Sequence, residues 1–227
     1  MGDMEEAPPE GEKINCQRVK WSEIQLWSED VAGKVRESGY EPDLVIGITR
    51  GGWVPARIIC DVFGIKSLYS IKTEHWGLTA TPDGTAKLVA KPQVDMAGKK
   101  VLLVDDITDT GESLQLAVDF VMTQNPGDVR VATLLHITHS KLVPDYYSVE
   151  VPKERWAWFI FPWNLHEDIR TLLPKTLTVK RDLGGIAGAF KDQFNIQVDS
   201  EILQGALSAL ATSGTVRSDG DLWLCES

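Results

Sequence analysis

The chain has 227 residues, 43% of them hydrophobic, enough for one α/β domain with an appendage or for two small domains. No run approaches the roughly 18 to 20 apolar residues of a membrane span, and a net charge of −10 argues against general affinity for nucleic acid. Cys16, Cys60 and Cys225 are odd in number and form no C-x-x-C, so neither a disulfide framework nor a zinc site is expected, and a reducing cytoplasm is the default setting.

Residues 1–14, with Pro8-Pro9 and five acids, have the composition of a disordered acidic tail, and an acidic start is not that of a signal peptide. Ile24, Trp27, Val31 and Val35 recur at helical spacing until Gly39 and Pro42 close the helix. "DLVIGI" is a short apolar strand that runs through the Gly-rich turn "TRGG" into the helical pattern "WVPARIICDVFG". "SLYSIKTEHW" reads as a further strand. The turn-rich segment 75–90 that follows, with Pro82, Asp83 and Gly84, is expected to be a lid. "VLLV", uniformly apolar, suits the centre of a parallel sheet; Leu114, Val118 and Val121 mark the next helix, and "VRVATLL" the next strand. Strands alternating with helices imply a doubly wound, mostly parallel sheet, with ligands at the carboxyl ends of its strands. This domain is expected over 15–165. Residues 166–227 read as a small, mainly helical appendage: "LHEDIRTLL", "GGIAGAFKDQF" and "SEILQGALSAL", then the hairpin-like "TVRSDGDLWL". "GGIAGAF" lacks G-x-G-x-x-G spacing and is expected to serve close helix packing.

The stretch "VLLVDDITDTGES" carries the chemistry. Asp105 and Asp106 are neighbours at a strand end, so their side chains are expected on opposite faces rather than as a shared-proton pair. Their mutual repulsion would be relieved by a divalent cation or by ligand hydroxyls. "DTGES" adds Gly111 for a tight turn, the hydroxyls of Thr110 and Ser113, and amides at a helix start, a set that favours phosphate. A phosphate beside hydroxyl-binding acids suggests a ribose 5-phosphate. Capping by Asp109 or Ser113 would need one residue and leave two acids unexplained. His75, His136, His139 and His166 show no metal-ligand spacing and read as ordinary polar residues.

"VDDITDTGES" resembles the phosphoribosyl-diphosphate (PRPP) motif of the type I phosphoribosyltransferases without a gap. "PDLVIGITRGGWVPA" is similar to that family's pyrophosphate loop, and "PDYYSVEVPKERWAWFIFPWN" to the base-binding end of archaeal adenine and 6-oxopurine enzymes. The resemblance implies that fold, with a flexible hood, a homodimer, and transfer of the phosphoribosyl group of PRPP to a purine with Mg²⁺. Asp105 and Asp106 would hold the ribose and help place the metal. Asp109 would exchange a proton with N7 of the purine, and Asp109, Thr110, Gly111, Glu112 and Ser113 would bind the 5-phosphate. Thr49, Arg50 and Gly51 would cradle pyrophosphate; Trp158 would stack on the base, with Phe159 giving main-chain contacts. Where 6-oxopurine relatives carry a lysine for the 6-oxo group, this chain has Ile137, which favours adenine over hypoxanthine, guanine or xanthine. A PRPP-sensing regulator with a winged-helix appendage is the rival of another class. Six Lys or Arg against nine Asp or Glu over 166–227 disfavour it.

Overall fold

A computed structural model describes residues 13–76 and 85–226. Most of the expected acidic tail and the middle of the expected lid, 77–84, lie outside the described residues. By its internal packing the chain divides into two compact units, Trp21–Trp156 and Met1–Lys20 with Ala157–Ser227.

The larger unit opens with α1 (Trp21–Glu37), which buries Ile24, Val31, Ala32 and Val35 at the expected spacing. β2 (Leu44–Thr49), α2 (Trp53–Phe63) and β3 (Leu68–Trp76) follow as the sequence implies. β4 (Thr85–Ala90) pairs antiparallel with β3, so both ends of the expected lid are strand. Then come β5 (Lys100–Thr108), α3 (Glu112–Met122), β6 (Asp128–Ile137) and β7 (Tyr146–Val151). The sheet runs β4-β3-β2-β5-β6-β7, parallel throughout except at β4.

β5 is central, and its Val101–Asp106 stretch is buried on both faces, which is why it reads as an apolar run rather than an alternation. Leu44, Ile46 and Ile48 of β2 join Leu103 and α3's Leu114, Ala117 and Val121 in one core. Gly47, one residue out of phase, faces α2 instead: a Cβ there would lie 3.1 Å from Ala56 Cβ. The carboxyl ends of β2 and β5 are thus adjacent, with a Gly-Gly turn leaving the first and a turn through Gly111 leaving the second.

In the smaller unit β1 (Cys16–Arg18) pairs parallel with β8 (Trp158–Ile160). α4 (Leu165–Thr176), α5 (Leu183–Phe194) and α6 (Ser200–Thr212) then share a core of Ile169, Leu172, Ile186, Phe190, Phe194, Leu203 and Leu207. The hairpin β9 (Val216–Asp219) and β10 (Leu222–Cys225) closes the chain, and Trp223 bridges back to Arg181. The division therefore differs from the expected boundary at 166, because a three-residue strand finds a partner some 140 positions away and draws 157–165 with it. The glycines of "GGIAGAF" do not serve close packing either: a Cβ on Gly188 meets nothing, while Gly185's amide donates to the Asp182 N-cap at 2.7 Å.

Candidate active site

Asp105 and Asp106 are only 8% and 9% exposed at the end of β5. They are not separated as strand alternation implies. Asp105 Oδ1 turns back to accept the Asp106 amide at 2.9 Å, and burial, followed by the charge of Asp106, pushes the Asp105 carboxyl well above the usual carboxylate range. Both acids lie against the turn leaving β2. A Cβ on Gly51 would fall 1.9 Å from Asp106 Oδ2, and one on Gly52 would fall 2.2 Å from the Val104 carbonyl oxygen and 2.7 Å from Asp105 Cα. Only glycines let this turn sit so close to the acid pair.

Of the residues expected at pyrophosphate, Arg50 is exposed on that turn and follows a cis peptide bond from Thr49. The Thr49 hydroxyl donates to the Ile71 carbonyl at 3.1 Å, so what it offers a ligand is main chain.

The loop after β5 reaches α3 without a side-chain cap. Its N-cap is Gly111 at φ 84°, which removes the alternative that Asp109 or Ser113 sits there as a cap. Thr110 Oγ1 accepts the Glu112 amide at 3.4 Å; Glu112 is exposed and Ser113 half-buried in the first turn. A backbone turn followed by a helix start presents N–H groups and the positive dipole end together, the arrangement that suits a phosphate.

Asp109, beside this turn, has a neighbour the sequence did not reveal. Its Oδ1 lies 2.8 Å from His139 Nε2, in the loop after β6. That oxygen is buried yet accepts no hydrogen bond, so the imidazole approaches closely without pointing its N–H along the contact. The only signal available was position: His139 follows by two residues Ile137, which the resemblance set at the 6-position of the base. Ile137 itself is fully buried at the end of β6, and its side chain is not at a surface.

Trp158 and Phe159 belong to the smaller unit. Both are half-buried, and Trp158 packs against the core of the three helices. The structure thus gathers Asp105, Asp106 and Gly51 in one place and Asp109, Thr110, Gly111 and His139 in another within the same unit. It describes the two expected base contacts in the other unit.

Residues 20–170 match the phosphoribosyl transferase domain. The chain is 31% identical over 156 residues to a xanthine-guanine phosphoribosyltransferase of Cereibacter sphaeroides, covering 65% of this chain and 86% of that protein. A hypoxanthine-guanine phosphoribosyltransferase of Aquifex aeolicus is 26% identical over 160 residues, 65% of this chain and 90% of that one. Among solved structures, a purine phosphoribosyltransferase from Pyrococcus horikoshii superposes with a TM-score of 0.57 at 27% identity, over 66% of this chain and 94% of its own. The chain belongs to the phosphoribosyltransferase family, with the type I fold, and is a transferase of that class.

Proposed function

We propose that the protein transfers the 5-phosphoribosyl group of PRPP to a 6-oxopurine, giving a nucleoside monophosphate and pyrophosphate. The observation that carries the PRPP reading is the buried acid pair packed on Gly51 and Gly52, one loop away from an uncapped, phosphate-suited helix start. The base reading is supported by the names of relatives, xanthine-guanine and hypoxanthine-guanine enzymes, and here it departs from the sequence expectation of adenine. That expectation placed Ile137 at the 6-position of the base; a fully buried Ile137 does not favour it.

Asp105 and Asp106 would hold the ribose hydroxyls. The Thr110–Ser113 turn would hold the 5-phosphate, and Arg50 with the Gly51 main chain the pyrophosphate. Asp109 would exchange a proton with the purine as the base nitrogen attacks C1 and pyrophosphate departs. Carboxylates near C1 favour the cationic sugar that develops, while Arg50 favours the leaving polyanion.

Among the described residues no three His, Cys, Asp or Glu gather as a cation site. Two carboxylates nonetheless fit Mg²⁺, which typically keeps only one or two protein carboxylates and completes its shell with water and substrate phosphates. Bound there with PRPP, the ion would supply charge neutralisation for the leaving group. Base contacts at Trp158 and Phe159, a homodimer and a cytoplasmic setting complete the proposal. The first two rest on the resemblance, the last on cysteines that are all free thiols. No helix among the described residues is long and apolar enough to cross a membrane.

The winged-helix rival gains the helix–helix–helix–hairpin order of the smaller unit, but α6, the helix that would enter a groove, carries no Lys or Arg. The test is pyrophosphate release from PRPP and hypoxanthine. Release should require Mg²⁺, vanish in EDTA, and be lost in the Asp105→Ala/Asp106→Ala double variant; turnover in either condition contradicts the proposal.

A further inference from the structure

We infer that His139 determines specificity at the 6-position of the base, acting as the donor to a 6-oxo oxygen in place of the absent lysine. The inference rests on the 6-oxopurine reading above and names the residue that makes it chemically workable.

N7 and the 6-substituent lie side by side on one edge of a purine, close enough for a single guanidinium to bridge them in guanine. A group beside the one that meets N7, on the side away from C8, is therefore placed to meet the 6-substituent. Asp109 is the group expected at N7, and His139 Nε2 is 2.8 Å from it. A His ring nitrogen that carries its hydrogen is a donor. No hydrogen bond joins Nε2 to Asp109 Oδ1 along their 2.8 Å contact, so a hydrogen on Nε2 is left for a ligand. An acceptor at Asp109 and a donor at His139 complement a 6-oxopurine protonated at N7. Adenine would present its 6-amino donor to the His139 donor, a mismatch of the kind that a hydrogen-bonding site rejects strongly.

His139 is also held in position, as a reader of substrate must be. At one end of its loop the Thr138 amide donates to the Val151 carbonyl at 3.0 Å, and Thr138 Oγ1 accepts the Lys153 amide at 2.9 Å. At the other, the Lys141 amide donates to the Thr110 carbonyl at 3.3 Å, and Ser140 and Leu142 occupy the space that a side chain on Gly111 would fill. The loop that carries His139 is thus docked on the loop that carries Asp109. His139 itself is 30% exposed at the side chain, open enough to meet a base.

The experiment compares wild type, His139→Ala and His139→Gln by kcat/KM for hypoxanthine, guanine and adenine at saturating PRPP, with PRPP protection against thermal unfolding as the check on folding. His139→Ala should lose on the order of ten- to a hundredfold on the two 6-oxopurines, the usual worth of one hydrogen bond to a polarised group, and much less on adenine. His139→Gln, which keeps an N–H donor, should recover part of the loss. Asp109→Asn should slow every purine alike. A wild type that prefers adenine overturns the 6-oxopurine reading and this inference with it. A wild type that prefers 6-oxopurines, combined with a His139→Ala loss equal for all three bases or absent, overturns the inference alone.

Discussion

Asp105 shows at the scale of one residue why this site resists its own folding. Its carboxyl is buried beside a second carboxyl, and the amides of Asp106 and Gly52 offset only part of that. The folded pKa is therefore raised above the unfolded value, so Asp105 contributes stability while protonated. That stability is fully present below about pH 4, the ordinary carboxylate range, and is lost as pH rises through the higher folded pKa. Asp105→Asn keeps the shape and never ionises. Without PRPP or divalent cation it should unfold at a higher temperature than wild type at pH 8, with the gap closing toward pH 4 in thermal melts. A variant no more stable at pH 8 would mean that the neighbouring amides compensate the charge fully. The same substitution should impair use of PRPP, the usual cost of stabilising a strained site.

Among the elements, the turn between β5 and α3 joins the phosphate-suited amides to the loop carrying His139. Gly111 makes the joint possible twice over, through φ 84° and through the lack of a Cβ that would lie 2.8 Å from Ser140 Oγ and 3.0 Å from the Leu142 nitrogen. Gly111→Ala should destabilise the unit by about 1–3 kcal/mol, the range for a residue forced into an unfavourable backbone region. It should also raise KM for both PRPP and the base, since both loops are displaced; steady-state kinetics with a denaturation curve would read both effects. Loss of stability with unaltered KM values would mean that the two loops act separately.

The elements also differ in how far the sequence disclosed them. β2, β5 and β6 were legible because burial on both faces writes a continuous apolar run, and α1 because its buried face repeats at helical spacing. β4 was not, since "TPDGTAKL" carries turn residues next to the strand and its pairing with β3 is a tertiary event. The acid pair and the glycines of the two loops were legible as chemistry, because few other purposes require such residues at a buried strand end. The return of the Asp105 carboxyl onto the Asp106 amide was not, because strand alternation alone directs the two side chains apart. The Asp109–His139 contact was least visible, since a loop 30 residues downstream makes it.

At the scale of the whole molecule, a chain of net charge −10 takes a polyanion as its expected substrate. Attraction must then be local, and local groups are what the larger unit offers: Arg50, the helix start at Gly111, and an acid pair to which the proposal assigns a cation bound with PRPP. The family match ends at residue 170, so α5, α6 and the final hairpin lie beyond the part that this chemistry needs. The central claim, PRPP-dependent transfer to a 6-oxopurine, is tested most directly by competition. Equal hypoxanthine and adenine, with limiting PRPP and Mg²⁺, are incubated with the full chain, and the nucleotides are separated by chromatography. Inosine monophosphate should dominate, with pyrophosphate released in equal amount; predominant adenosine monophosphate, or nucleotide formation without PRPP, would contradict the account.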